Sequence, residues 1–263
     1  MFHAFETFAQ AWAFDVMTSV SHYLYYAVGV WLLLWVALRW PLKSRKIRPD
    51  TPGRRQIATE VAVSVRSMAI FASVDILINL LDRWGAYPLP KIGASWGPVW
   101  FWTSLALMII VHDTYIYWTH RLMHRPRLFR RFHLRHHRSS NPSPFTAYSF
   151  DLREAAVNVF FFVLWYAVTP TPWAVGPLFA LHQIGRNTLL HSGYELMPAG
   201  PDGKPLFDFL TTTTHHDLHH GQAGYNYAAW FTWWDRWMGT EHPDYLARYA
   251  KAAWRPFGGV RGA

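Results

Sequence analysis

The chain has 263 residues, of which 51% are hydrophobic, 18% aromatic and only 16% charged. Charge this sparse falls below the ~25% of an average soluble domain and points to a membrane protein. The net charge of +9 belongs to arginines that flank apolar segments, as span-flanking cations do, and is not read as a nucleic-acid surface; the absence of cysteine excludes disulfides, thiolate metal ligands and a cysteine-held iron–sulfur cluster.

Taken in chain order, the first 20 residues lack a basic leader and carry Glu6 and Asp15, so the first apolar run is expected to be a retained span and not a signal peptide. Residues 20–40 are long enough to cross a bilayer as a helix and are followed by Lys43, Arg45, Lys46, Arg48, Arg54 and Arg55. A second span is expected over 57–81, interrupted by Glu60, Arg66 and Asp75, whose charges should face the bundle interior or an interface. Gly85, Pro88, Pro90, Gly93, Gly97 and Pro98 predict a turn-rich loop. A third span over 99–118 delivers the chain to His120. Two shorter apolar segments, 155–168 and 173–190, are joined by Thr-Pro-Thr-Pro and suit a re-entrant hairpin as well as two crossings. Residues 255–263 read as a disordered tail.

The basic loops 43–55 and 121–138 should be cytoplasmic. The spans then bring every histidine-rich segment to that one side.

Those segments carry the chemistry. His120 and His124 stand at i, i+4 in HRLMH; His133, His136 and His137 form H-x-x-H-H, and His216, His219 and His220 repeat it. On a helix each such block points its imidazoles to one face, and neutral imidazole suits iron, zinc, copper and nickel. His191, after the last apolar segment, is added as a ligand. The nine nitrogens suit two ions with open positions, and the lack of H-E-x-x-H argues against zinc hydrolysis. Asp113, two turns above His120, and Asp217 are candidates to accept the second imidazole N–H of a ligand, and Asn187 is placed beside His191. His182 is left open. His112 and His215 should point away from the blocks, and His3, His22 and His242 read as structural or solvated. Trp230, Trp233, Trp234 and Trp237 fit one helical face, either an interfacial belt or a pocket wall. Asp235 is read as pairing with Arg236 or supporting a ligand.

The phrases DTYIYWTHRLMH, RRFHLRHHRSSNPSPF, NTLLHSGYE, THHDLHH and NYAAWFTWWDRWMGT resemble the fatty acid hydroxylase/sterol desaturase superfamily of membrane di-iron enzymes, over about residues 113–240. HSGYE and FTWWDRWMGT are similar to the C4-methyl sterol oxidase branch and its bacterial relatives. The resemblance implies a helical membrane anchor, a cytosolic histidine-rich cap, two irons, O₂, and hydroxylation or desaturation of a lipid. Position by position, it supports His120, His124, His133, His136, His137, His191, His216, His219 and His220 as ligands. The sequence departs where relatives often read F-H-P-x-E-A, having Phe150-Asp151-Leu152-Arg153-Glu154-Ala155 instead. Some hydroxylase branches also have H-x-x-x-H where Asn187 and His191 stand.

The fold expected is therefore all-α: an integral membrane helical bundle of about four spans, in which a re-entrant hairpin is allowed for, with a cytosolic histidine-rich helical cap. Residues 1–98 would form the anchor, 99–254 the catalytic domain and 255–263 the tail. No nucleotide, flavin or iron–sulfur motif is visible, so electrons should come from a separate ferredoxin- or cytochrome-type donor, for which the basic 121–138 surface is a docking face. The competing reading is a membrane metal-binding or transport protein, which predicts histidines distributed through the spans.

Overall fold

The structure is a computed structural model that describes residues 2–86 and 96–256, with side chains from residue 7 onward. The predicted turn at Pro88, Pro90 and Gly93, the side chains of His3 and Glu6, and the tail from residue 257 lie outside the described residues.

Among the described residues, three helices are long and apolar enough to cross a membrane. The first, α1 (Phe2–Trp31), continues as a π-wound turn over Leu32–Ala37. It starts well before residue 20, because Phe8, Trp12, Phe14 and Met17 extend the apolar surface past Asp15. The second and third are α2 (Arg54–Arg83) and α3 (Gly97–Met123). Many of their large apolar side chains, Val36, Leu77, Trp102 and Ile110 among them, face outward, as lipid contact requires. Where α1 and α2 meet, Tyr23 and Ala27 pack against Met68, and the buried Ser64, Ser67 and Ala72 let the backbones approach.

Two short helices follow the third span, α4 (Pro126–Phe132) and α5 (Leu134–His137). Then comes a hairpin of α6 (Leu152–Val168) and α7 (Val175–Leu190). At 17 and 16 residues these are about 25 Å long, short of a ~30 Å hydrocarbon core. The re-entrant form of the hairpin agrees with these lengths, and among the described residues the full-length candidate spans are three. The chain ends its described course with α8 (Thr213–Gly221), α9 (Trp233–Trp237) and α10 (Tyr245–Ala252). Among the described residues no strand forms, only isolated bridges such as Lys46 with Tyr194.

The span-interrupting charges behave as polar groups in a bilayer must. Glu60 is fully buried and accepts hydrogen bonds from Gln56 Nε2 at 2.8 Å and Ser143 Oγ at 3.2 Å, and Arg66 donates to the Phe150 carbonyl at 2.6 Å. These contacts tie α2 to the 143–150 segment, which lies beneath the histidines. At the same end the π-wound turn, closed by Leu38 N donating to Leu33 O, sets Trp35 so that its indole N–H donates to Ser192 O at 2.8 Å. Gly193 has φ +78°, and a Cβ there would come 2.8 Å from the Trp35 ring; only glycine suits both demands. The end of the first span is thereby clamped onto the residues that follow His191.

Candidate metal centre

Helix geometry decides how the histidines are shared. Residues i and i+4 are ~40° apart around a helix, while i+3 lies ~60° to the other side of i. An H-x-x-H-H turn wedged between two sites therefore gives its i, i+4 pair to one and its i+3 member to the other. The structure shows this twice. His120, His124, His133, His137 and His219 form one group, and His136, His191, His216 and His220 a second, each with all its ligand atoms within 4.8 Å of one another. The expectation that each block aims three imidazoles at one place is corrected: each block straddles two places. The first block is also not one helix, since His133 has φ −132° at the break between α4 and α5.

Within the first group His120 Nε2 lies 2.8 Å from His133 Nε2 and 3.2 Å from His124 Nε2, and His137 Nε2 lies 3.3 Å from His124 Nε2 and 3.0 Å from His219 Nε2. In the second, His191 Nε2 is 2.9 Å from His216 Nε2, 3.3 Å from His220 Nε2 and 3.4 Å from His136 Nε2. Two imidazole nitrogens each ~2.1 Å from one ion are about 3.0 Å apart at right angles and about 3.4 Å apart in a tetrahedron. Both groups have these edges.

The opposite ring nitrogens explain the orientation. Nδ1 of His120 meets the Tyr227 carbonyl at 2.8 Å, Nδ1 of His191 the Asn187 carbonyl at 2.8 Å, and Nδ1 of His219 the Tyr225 carbonyl at 2.6 Å. A carbonyl only accepts, so each Nδ1 carries the proton and each Nε2 presents a lone pair. Nδ1 of His133 lies 2.7 Å from Glu154 Oε1, both side chains being 2% exposed. Burial first, then neighbouring imidazoles, holds the basicity of His133, His136, His216, His219 and His220 well below the ordinary imidazole value, and pushes His137 down to about 3. The histidines stay neutral, the form that ligates a metal.

Against this geometry, a family model for fatty acid hydroxylases matches residues 105–240, which include all nine histidines. The chain belongs to the fatty acid hydroxylase family. It is 28% identical to cholesterol 25-hydroxylase of Rattus norvegicus over 231 residues, which cover 86% of this chain and 74% of that protein. It is 33% identical to methylsterol monooxygenase 1 of Rattus norvegicus over 150 residues, 55% of this chain and 49% of the relative. With lathosterol oxidase of Mus musculus it shares 28% identity over 196 residues, 73% and 63% of the two chains. The chain thus spans about half of one of these relatives and about three quarters of another. No solved structure matches it.

In this family member Glu154 is the residue that histidine spacing did not reveal. It sits in the first turn of α6, next to Asp151, whose carboxylate accepts from Arg153 N, and with Phe150 and Ala155 it is retained from the F-H-P-x-E-A phrase whose His and Pro are replaced here. Glu195, in the HSGYE phrase, was also unassigned. Its buried carboxylate accepts from Thr214 N and Met197 N, both at 2.9 Å, and Thr212 Oγ1 accepts from His215 N, so the start of the histidine-bearing α8 is capped twice.

Other assignments change. Asp113 does not reach a ligand; it accepts from Trp230 N at 2.7 Å, Phe231 N and Trp233 Nε1 at 2.9 Å. Asp217 pairs with Arg48 at 2.6 Å, which fastens α8 to the basic loop between the first two spans. The Asn187 side chain donates to the Ala147 carbonyl, and it is the Asn187 backbone carbonyl that orients His191. The four tryptophans do not form one helical stripe. Trp230 precedes α9, is buried and donates to His112 Nδ1; Trp233 and Trp234 bond to Asp113 and Thr114; only Trp237, 65% exposed, suits an interface. Asp235 accepts from Tyr227 N, Ala228 N and Thr240 Oγ1, while Arg236 pairs with Asp208 and Glu241. His182 stays outside both groups, its ring on Trp230. His215 faces Asp235 at 3.5 Å, His242 meets Gln222, and His112 lines the small cavity above the histidines without joining either group.

Proposed function

We propose that this protein is a membrane-bound, O₂-dependent di-iron oxidoreductase that hydroxylates or desaturates a lipid. One observation carries the reading. Nine imidazoles gather into two largely buried groups, each with its ligand atoms within 4.8 Å of one another, and the carbonyls on Nδ1 of His120, His191 and His219 leave the Nε2 lone pairs of those rings turned inward. Lone pairs gathered this closely in a buried site repel unless a cation lies among them. The fit is therefore to a metal, with His120, His124, His133, His137 and His219 holding one iron and His136, His191, His216 and His220 the other.

Two irons supply, when bound, the activation of O₂ that oxidation of an unactivated C–H bond requires. The chain's own residues do the rest. Neutral imidazoles leave the ions their positive charge, three carbonyls fix the tautomers of His120, His191 and His219, and burial keeps water from the reacting carbon. The names of the relatives, a sterol hydroxylase, a methylsterol monooxygenase and a sterol oxidase, support a sterol-like lipid as substrate. The clustering of both groups at the ends of α3, α7 and α8 counts against a transport path through the spans. The site lies on the cytoplasmic side by the charge of the 43–55 and 121–138 loops, where a ferredoxin- or cytochrome-type donor meets it.

Metal analysis of active protein should give close to two irons per chain; one zinc per chain would sink the reading. Lipid analysis under ¹⁸O₂, with and without the gene, should show one lipid gaining label or a double bond. His136→Ala and His219→Ala, one from each group, should each abolish turnover and lower the iron content.

A further inference from the structure

A crevice of about 670 Å³ runs along α1, α2, α6 and α7, a volume within the range of small-molecule sites. Its walls are largely apolar: Met68, Phe71, Val159, Phe162 and Ile184. At its inner end Asn158 and Gln183 line both the crevice and the small cavity above the histidines. The two spaces therefore share this pair of amides as a common wall.

The outer end is different. Asp75 and Asn79 of α2 and Tyr166 of α6 line it. Ser64 on α2 and Glu154 on α6 mark the level of the histidine end, through Phe145 and His133 respectively. Asp75 is eleven residues beyond Ser64 and Tyr166 twelve beyond Glu154, so both stand about 16–18 Å farther along their helices. Asn79 Nδ2 is tied to the Asp75 backbone carbonyl at 2.9 Å, and among the described residues no donor reaches the Asp75 carboxylate. The Tyr166 hydroxyl is seated on Gly176, where a Cβ would overlap it. A carboxylate within a membrane span is costly, and one that faces a ligand-sized space is a functional group by default.

We propose that the crevice holds an elongated lipid of sterol size with its hydroxyl on Asp75 and Tyr166 and its apolar end led between Asn158 and Gln183 to the histidines. Oxidation then falls on the end of the molecule remote from its hydroxyl. The proposal rests on the lipid-oxidase reading for the identity of the reaction, but the binding step does not depend on turnover.

The test is equilibrium binding of a tritiated 3-hydroxysterol and its 3-deoxy analogue to the full chain in detergent. The wild type should bind the hydroxysterol about tenfold more tightly, the order of one net hydrogen bond. Asp75→Leu should bring that ratio to near one, Tyr166→Phe should reduce it, and Asp75→Asn should keep part of it, with iron content unchanged in all three. Equal binding of the two sterols by the wild type, binding of neither, or an unchanged ratio in Asp75→Leu overturns the proposal. So does a product oxidised beside the hydroxyl. A wild type that shows the preference but contains no iron would overturn the oxidase reading alone, whereas an iron-loaded, active protein without the preference would overturn this site alone.

Discussion

Glu154 approaches the nitrogen of His133 that faces away from the other histidines. Its Oε1 stands 2.7 Å from Nδ1 and leaves Nε2 as the nitrogen turned toward a metal, whose charge favours a carboxylate on the far side of the ring. Glu154→Ala should reduce iron from about two per chain toward one and lower turnover 10–100-fold, as loss of such partners does; metal analysis and activity on one preparation check it. Glu154→Gln, which keeps an accepting oxygen, should retain more iron. The nine histidines were legible because their spacing is local. Glu154 was not, because its role depends on the start of α6 being carried beside the break between α4 and α5. The carbonyls of Tyr225 and Tyr227 have no side-chain signature at all.

Among elements, the segment between α8 and α9 does work that its tryptophan content disguised. Asp113 from the third span and Asp235 from α9 grip its backbone at residues 227, 228, 230 and 231, and this segment supplies the Tyr225 and Tyr227 carbonyls to two histidines. Asp113→Ala should cost roughly 1.5–3 kcal/mol, the range for hydrogen bonds to a charged group, and lower iron content with it; thermal unfolding in detergent and metal analysis read the two effects. Arg48→Ala breaks a pair whose side chains are 31% and 13% exposed and leaves the Asp217 carboxylate without its donor, so it should cost about 1–3 kcal/mol. The periodicity of the tryptophans suggested one helix face, yet tertiary hydrogen bonds override it: an indole N–H inside a membrane protein needs an acceptor, and α3 offers His112, Asp113 and Thr114. The three long spans and the short hairpin, by contrast, follow from length and hydropathy, which bilayer thickness fixes.

At the scale of the whole molecule, the sequence contains no cysteine, so single cysteines report sidedness cleanly. Arg130→Cys should be labelled from the cytoplasm and Trp84→Cys, an exposed position at the end of α2, from the other side; the reverse pattern would invert the topology. Acidity should act on the metal-free protein in one direction. The buried histidines hold depressed basicities, His137 at about 3, whereas in the unfolded chain they titrate near 6.5. Below about pH 6.5 the unfolded state binds more protons, so stability is full above that pH and falls as the pH drops toward 3. Unfolding midpoints in detergent at pH 7.5, 6 and 5 should decline in that order.

The interleaving of the two groups also sets an order in time. The first group waits for His219, and the second for His216 and His220, so neither is complete until residue 219 has been synthesised. By then all three long spans, which end at Met123, have left the ribosome. Insertion of the anchor therefore precedes iron loading, and cells starved of iron should accumulate a membrane-inserted, empty protein that iron can fill afterwards.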